Sequence, residues 1–334
     1  MNKKLSIFAI VLIIVGLIGS VWSGFLSMPY FINKLQDYEE EINKEKVIYE
    51  ENININNLSI NTKYANIKIL KNDSSKVIIK TNGLYKNSEI KINQRGKELV
   101  IEEEINNQKI EKIKNIDDLI NIALENTFSS YRNTIFVYIP NNINISAITH
   151  SGHLDVKDNI FLDSLIFKTY GGSISLPSEI KNLKLLDLTS KSDLSLKLSE
   201  LLGIDEVNIN SNEVYISSKE STFYDMEKYI PKKVTINGDN LENGIIDIES
   251  TIPISKDLTI DSYKSEVLLN LPLDRYNFNF NVATYEGIEF NDYLLNLIKY
   301  RDESELIKEF KTILNPNLKD EYKININALN LDFR

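Results

Sequence analysis

The chain has 334 residues, with 38 basic against 48 acidic side chains, a net charge of −10 and no cysteine. That balance argues against a nucleic-acid partner, which demands a basic face, and against broad contact with anionic lipid. The missing thiols exclude disulfides, thiolate metal sites, cysteine nucleophiles and a lipidated cysteine, so the fold closes by packing alone.

Lys3 and Lys4 precede LSIFAIVLIIVGLIGSVWSGFL (5–26), uncharged throughout and long enough for a helix to cross a hydrocarbon core of roughly 30 Å. The reading is a transmembrane helix over 5–27 after a cytoplasmic tail of 1–4. A cleaved signal peptide is the competing reading, but its apolar region runs to only about 7–15 residues and ends in a small-residue site poorly matched here. Asp37, Glu39, Glu40 and Glu41 follow the run, so the positive-inside rule puts the N-terminus in the cytoplasm and nearly the whole chain outside the cell membrane. Residues 31–50 are charged and lack Gly and Pro, which makes 28–50 a juxtamembrane helix or stalk.

From residue 51 to 334 the period becomes that of strands. NLSINTKYANIKIL (57–70), KVIIKT (76–81), EIKIN (89–93), ELVIEEE (98–104) and TIFVYIP (134–140) carry apolar residues two apart. Then a repeat sets in: THSGHLDV (149–156), TYGGSISL (169–176), TSKSDLSL (189–196) and INSNEVYI (209–216), each beginning 20 residues after the last. Gly152, Gly172, Ser192 and Asn212 share one column, Leu154, Ile174, Leu194 and Val214 a second, and Val156, Leu176, Leu196 and Ile216 a third. The pattern returns around 243–248, 265–269 and 286–290, and earlier at 65–69. Such a period predicts an all-β fold, a parallel β-solenoid of about 20 residues per coil. The residue between the two inward columns, Asp155 among them, is expected to face solvent, with Tyr215 and Leu268 as exceptions. Small residues at the corner supply positive φ or bond their own backbone. Leu186 and Leu188 are slipped by one residue, which predicts a bulge in the third repeat.

Three segments interrupt the stack. Residues 107–131 read as an amphipathic helix; 217–230 are mixed; 291–314 read as one broken helix or two short ones, with Leu306, Ile307, Phe310 and Ile313 on its face. KININALNLDF (323–333) alternates again and is expected to close the stack as a last strand pair.

The order of an N-terminal apolar run, SINTKYANIKI, ELVIEE, IFVYIP and then the THSGHLDV copies resembles the bacterial "putative adhesin" domain of unknown function. The resemblance, over about residues 50–334, implies a β-solenoid outside a single membrane helix. It supplies no catalytic residue, and some members of the family sit beside cell-envelope stress regulators. The expected function is a membrane-anchored surface binding or structural module that is not an enzyme. The alternatives are an accessory or sensory subunit of an envelope-stress system and, behind it, a carbohydrate-active enzyme.

His150 and His153 form an H-x-x-H, but they fall in two variable polar columns, and zinc needs three or four convergent ligands. No metal or other cofactor is expected. Asp155 and Asp247 lie too many rungs apart to act as a catalytic pair. Tyr64, Tyr170, Tyr263 and Tyr285 precede the inward pair of their rungs. Tyr170, Tyr263 and Tyr285 are the candidate ligand-contact surface, for a cell-wall glycan or an envelope protein, against packing between rungs as the bland reading.

Overall fold

The computed structural model describes residues 28–52, 54–83, 88–105, 116–127, 133–157, 160–178, 183–218, 226–238, 244–298 and 307–334. The apolar run at 5–26 and the tail before it lie outside them; among the described residues no helix is long and apolar enough to cross a membrane. The chain divides into two compact units. One holds the described parts of Met1–Lys46, Asn82–Tyr85 and Gln108–Tyr131. Its elements are helix α1 (28–43) and helix α2 (Ile116–Thr127), and the Gly83 amide donates to the Ile42 carbonyl at 2.8 Å.

The other unit is the stack of strands. Its strands run β1 (Lys46–Glu51), β2 (Asn57–Thr62), β3 (Asn66–Lys71), β4 (Val77–Asn82), β5 (Ser88–Arg95), β6 (Glu98–Ile105) and β7 (Thr134–Ile139). They continue as β8 (Ile143–Thr149), β9 (Leu154–Val156), β10 (Leu162–Thr169), β11 (Ile174–Ser175), β12 (Leu183–Ser190) and β13 (Leu194–Lys197), after which Leu198–Leu201 form the short helix α3. Then come β14 (Ile204–Asn210), β15 (Glu213–Ser217), β16 (Lys233–Asn237), β17 (Gly244–Glu249), β18 (Asp257–Asn270) and β19 (Asn277–Glu289). Helix α4 (Asp292–Ile298), β20 (Glu309–Ile313) and β21 (Glu321–Phe333) finish the order.

Each rung is one strand on a first face, a corner, and one strand on a second face. On the first face the order is β5-β6-β2-β8-β10-β12-β14-β16-β18, continued by β21, β19 and β20. The second face is β1-β4-β7-β3-β9-β11, with a separate ladder β13-β15-β17 that runs into the second half of β18. Parallel register lines identical parity up through the stack: Leu58, Ile145, Leu165, Leu186, Val207, Val234, Leu258, Ile324 and Phe280 are successive partners on the first face. All nine are buried. The second face repeats this with Leu194, Val214, Ile246, Val267, Leu331 and Ile288. Each such side chain contributes about 1.5–3 kcal/mol on leaving water. The columns are therefore the main stabilising term of the stack.

Both ends of the first face finish on an antiparallel strand, β5 on β6 and β20 on β19. At the far end the winding departs from expectation. β21 does not close the stack; it inserts between β18 and β19, parallel to both. Residues 309–313, expected to be helical, form β20, because Phe310 packs its ring on Phe280, Phe290 and Phe333 and an extended backbone delivers it there. Residues 46–50, expected in the stalk, already belong to β1 at the edge of the second face.

The slipped third repeat keeps continuous register in β12. The irregularity lies one rung earlier, between Leu162 and Leu165 of β10. Phe167 pairs with Ala147 but with Leu188 on its other side, so the offset grows by one residue, and a shorter corner after Ser190 restores it. Asp155 is buried rather than solvent-facing, 7 % exposed with its carboxylate 2.9 Å from Lys157 Nζ.

At most corners a buried hydroxyl ends the first-face strand. Thr149 Oγ1 accepts from the Gly152 amide at 2.8 Å and Thr169 Oγ1 from the Gly172 amide at 2.7 Å. Ser190 and Ser211 carry this role onward: Ser190 Oγ accepts from the Ser192 amide at 3.2 Å, and Ser211 Oγ donates to the Ser192 carbonyl at 2.9 Å. Aligned by these hydroxyls, Ser192 and Asn212 no longer share the column of Gly152 and Gly172. The glycines are needed for space, not for positive φ, which among the described glycines occurs at Gly83, Gly96 and Gly203. A Cβ on Gly172 would stand 2.0 Å from the Gly152 carbonyl oxygen, and one on Gly152 2.1 Å from that of Ala65. At Gly171 the nearest atom would be 4.0 Å away. Gly172→Ala is therefore expected to cost about 1–3 kcal/mol, as overpacking does, while Gly171→Ala stays near wild type; urea midpoints of the two variants check this.

Candidate functional site

After most of these buried hydroxyls the next residue, or the one beyond it, turns outward on the edge joining the two faces. Along that edge stand Tyr64, His150, Tyr170, Lys191, Tyr263 and Tyr285, in the order of their rungs. Backbone bonds between successive corners hold the first three in place: the His150 amide donates to the Thr62 carbonyl at 3.3 Å, and the Tyr170 and Gly171 amides donate to the His150 carbonyl at 3.2 and 2.9 Å.

These bonds put three rings in a row. The Tyr64 and His150 ring centroids are 6.3 Å apart, edge to face, and those of His150 and Tyr170 are 5.2 Å apart at 31°. The rings touch without being covered, since Tyr64 is 38 % and Tyr170 61 % exposed. A ring that merely packs between rungs loses nearly all of its surface to them; Tyr170 keeps more than half of its own and Tyr64 over a third. His153, in the same corner as His150, bonds Ser173 Oγ through Nδ1 at 2.8 Å. Among the described residues no three His, Asp or Glu side chains converge to hold a metal.

The foundation of the row is an unusual buried acid. Glu103 of β6 is 7 % exposed, and its Oε2 accepts from the amides of Lys63, Tyr64 and Ala65 at 2.7, 2.9 and 3.2 Å. The first corner has no preceding corner to bond its amides, so a carboxylate from the neighbouring strand takes them, satisfying three donors with one charge. Tyr64 is fixed by that cradle.

Tyr263 and Tyr285 lie on the same edge, 67 % and 73 % exposed, but they are not brought to Tyr170. Four rung steps separate β10 from β18, roughly 19 Å at strand spacing. The two flank β21, each following a residue that pairs with Ala328, and Lys308 Nζ sits 5.6 Å from the Tyr285 ring centroid. Tyr215 is separate from the row. It is half-buried on the outer side of the second face, donates to Glu213 Oε2 at 3.4 Å, and burial followed by that carboxylate holds its hydroxyl above the usual tyrosine range.

Sequence reasoning grouped the tyrosines and set His150 aside as a variable corner residue, so the ring that joins Tyr64 to Tyr170 was missed. The signal was present, because His150 and Tyr170 share a column. Glu103 also had a signal: in ELVIEEE it falls on the inward parity of Leu99 and Ile101.

Residues 55–287 match the family model described as Toastrack DUF4097. No curated protein matches the chain. Among solved structures it is similar to a "putative cell adhesion protein" from Clostridium sporogenes ATCC 15579, at 13 % identity over 87 % of this chain and 99 % of that one, TM-score 0.20. A "putative adhesin" from Bacteroides fragilis NCTC 9343 gives 10 % identity over 88 % and 99 %, TM-score 0.32. Another from Parabacteroides merdae ATCC 43184 gives 9 % identity over 87 % and 97 %, TM-score 0.37. Likeness at this level leaves function to be argued from the residues of this chain.

Two stability outcomes separate the row from its foundation. Tyr170→Ala is expected to move the unfolding free energy by no more than about 0.5 kcal/mol, as exposed substitutions do. Glu103→Ala takes the acceptor from three corner amides, of which that of Ala65 is buried, and is expected to cost about 1–3 kcal/mol. Chemical denaturation of both variants is the measurement.

Proposed function

Because the chain belongs to the Toastrack DUF4097 family, we propose that it is a membrane-anchored, non-catalytic binding module displayed outside the cell. In this reading the apolar run 5–26 is a single membrane pass with Lys3 and Lys4 on the cytoplasmic side. The solenoid faces outward and presents its aromatic edge. The observation that carries the binding role is the contiguous, solvent-exposed row Tyr64–His150–Tyr170, held by inter-corner backbone bonds. Exposed rings on a rigid backbone lose little conformational freedom on meeting a partner, so more of their contact energy appears as affinity. The adhesin names of the similar solved structures agree with a surface role and add nothing on the ligand.

Protease added to intact cells that make the full chain is expected to remove the segment beyond about residue 30, leaving a short membrane-embedded fragment; complete protection overturns the outward orientation. Crosslinking in the native membrane is expected to recover wall or foreign-surface ligand. Recovery of a membrane kinase or transporter alone replaces the binding module with the accessory-subunit reading.

A further inference from the structure

Resting on the surface-binding reading, we infer that the edge at Tyr64, His150 and Tyr170 takes an extended, uncharged polymer of β-1,4-linked pyranose sugars. Three observations select that class. The first is the pitch. One ring stands on each of three consecutive rungs, with centroid separations of 6.3 and 5.2 Å, along a line set by stacked strands. Equatorial β-1,4 linkages draw a pyranose chain into a straight ribbon that turns a C–H face or a hydroxyl rim toward such a line at every sugar. Axial linkages coil the chain away from it.

The second is charge. Nucleobases also stack on aromatic rows, and phosphate or carboxylate polymers also run straight, but each brings a negative charge per unit to a chain of net charge −10. A neutral polymer meets no such penalty. The third is the state of the backbone. A peptide strand adding to the edge would need free amides and carbonyls, yet the amides of His150, Ser151, Tyr170 and Gly171 already bond the preceding corner. What the edge offers is ring surface together with polar tips: two tyrosine hydroxyls and an imidazole, with the His153–Ser173 pair in the same two corners. This combination suits a ligand apolar on its faces and hydroxylated on its rim.

The probes are hydroxyethylcellulose and chitohexaose, with carboxymethylcellulose as the anionic polymer of the same backbone. The full chain, purified in detergent, is expected to be retarded in native gels containing hydroxyethylcellulose and to bind chitohexaose in titration calorimetry. Tyr64→Ala and Tyr170→Ala should each weaken binding roughly five- to tenfold, and Tyr170→Phe should keep it within about twofold. Binding of neither neutral probe overturns the inference. So does equal binding by the alanine variants, or tighter binding of carboxymethylcellulose. If neither probe binds while protease reaches the solenoid on cells, the ligand class alone fails; a protected solenoid fails the surface reading whatever the probes do.

Discussion

The close approach of one corner to the next governs this molecule. Carbonyl oxygens stand where a Cβ on Gly152 or Gly172 would have to go, and the hydroxyls of Thr149 and Thr169 fill the remaining space while taking the glycine amides. A corner that tight leaves no freedom in register. Once corner lies on corner, the flanking strands are in step, and leucine, isoleucine and valine fall into unbroken buried columns on both faces. Hydrophobic burial supplies most of the energy, but it is non-directional; the corner selects the arrangement in which that burial occurs.

The aromatic edge is a by-product of the same constraint. Next to the buried hydroxyls of Thr62, Thr149 and Thr169 the chain turns a side chain outward, and parallel stacking repeats that position at strand spacing. Three rings on neighbouring rungs therefore meet without any packing designed to join them. The arrangement needs a first corner as firm as the later ones, and Glu103 provides it by giving the amides of Lys63, Tyr64 and Ala65 the acceptor that a preceding corner gives elsewhere. Position along the stack thus decides whether backbone or side chain does the capping.

Much of the solenoid was legible because its order is local. The 20-residue spacing between THSGHLDV and TYGGSISL appears directly as the Ile174–Leu154 pair of neighbouring strands. Legibility failed where partners are distant in sequence. Nothing in KININALNLDF says that it lies between β18 and β19, since alternation reports which side is buried and not which strand is adjacent. Phe310 and Ile313 sit at a spacing that a helix and a short edge strand both accommodate, and only the cluster around Phe280 and Phe333 decides for the strand. At the site, the row was hidden because residues were grouped by type. Imidazole and phenol look unlike as letters but are alike as flat rings in one column.

The position of β21 has a mechanical consequence. β18 and β19 share no ladder; each is joined to β21, along nearly its whole length and in parallel. A tug along the strand direction on any of the three loads both ladders in shear, where many hydrogen bonds resist together, rather than peeling them one by one from an end. The antiparallel β20 outside β19 gives that end of the stack one more bonded layer. The part of the solenoid that winds out of sequence order is thereby built like a lap joint, with a tongue glued on both sides, able to carry tension across the rungs where Tyr263 and Tyr285 stand.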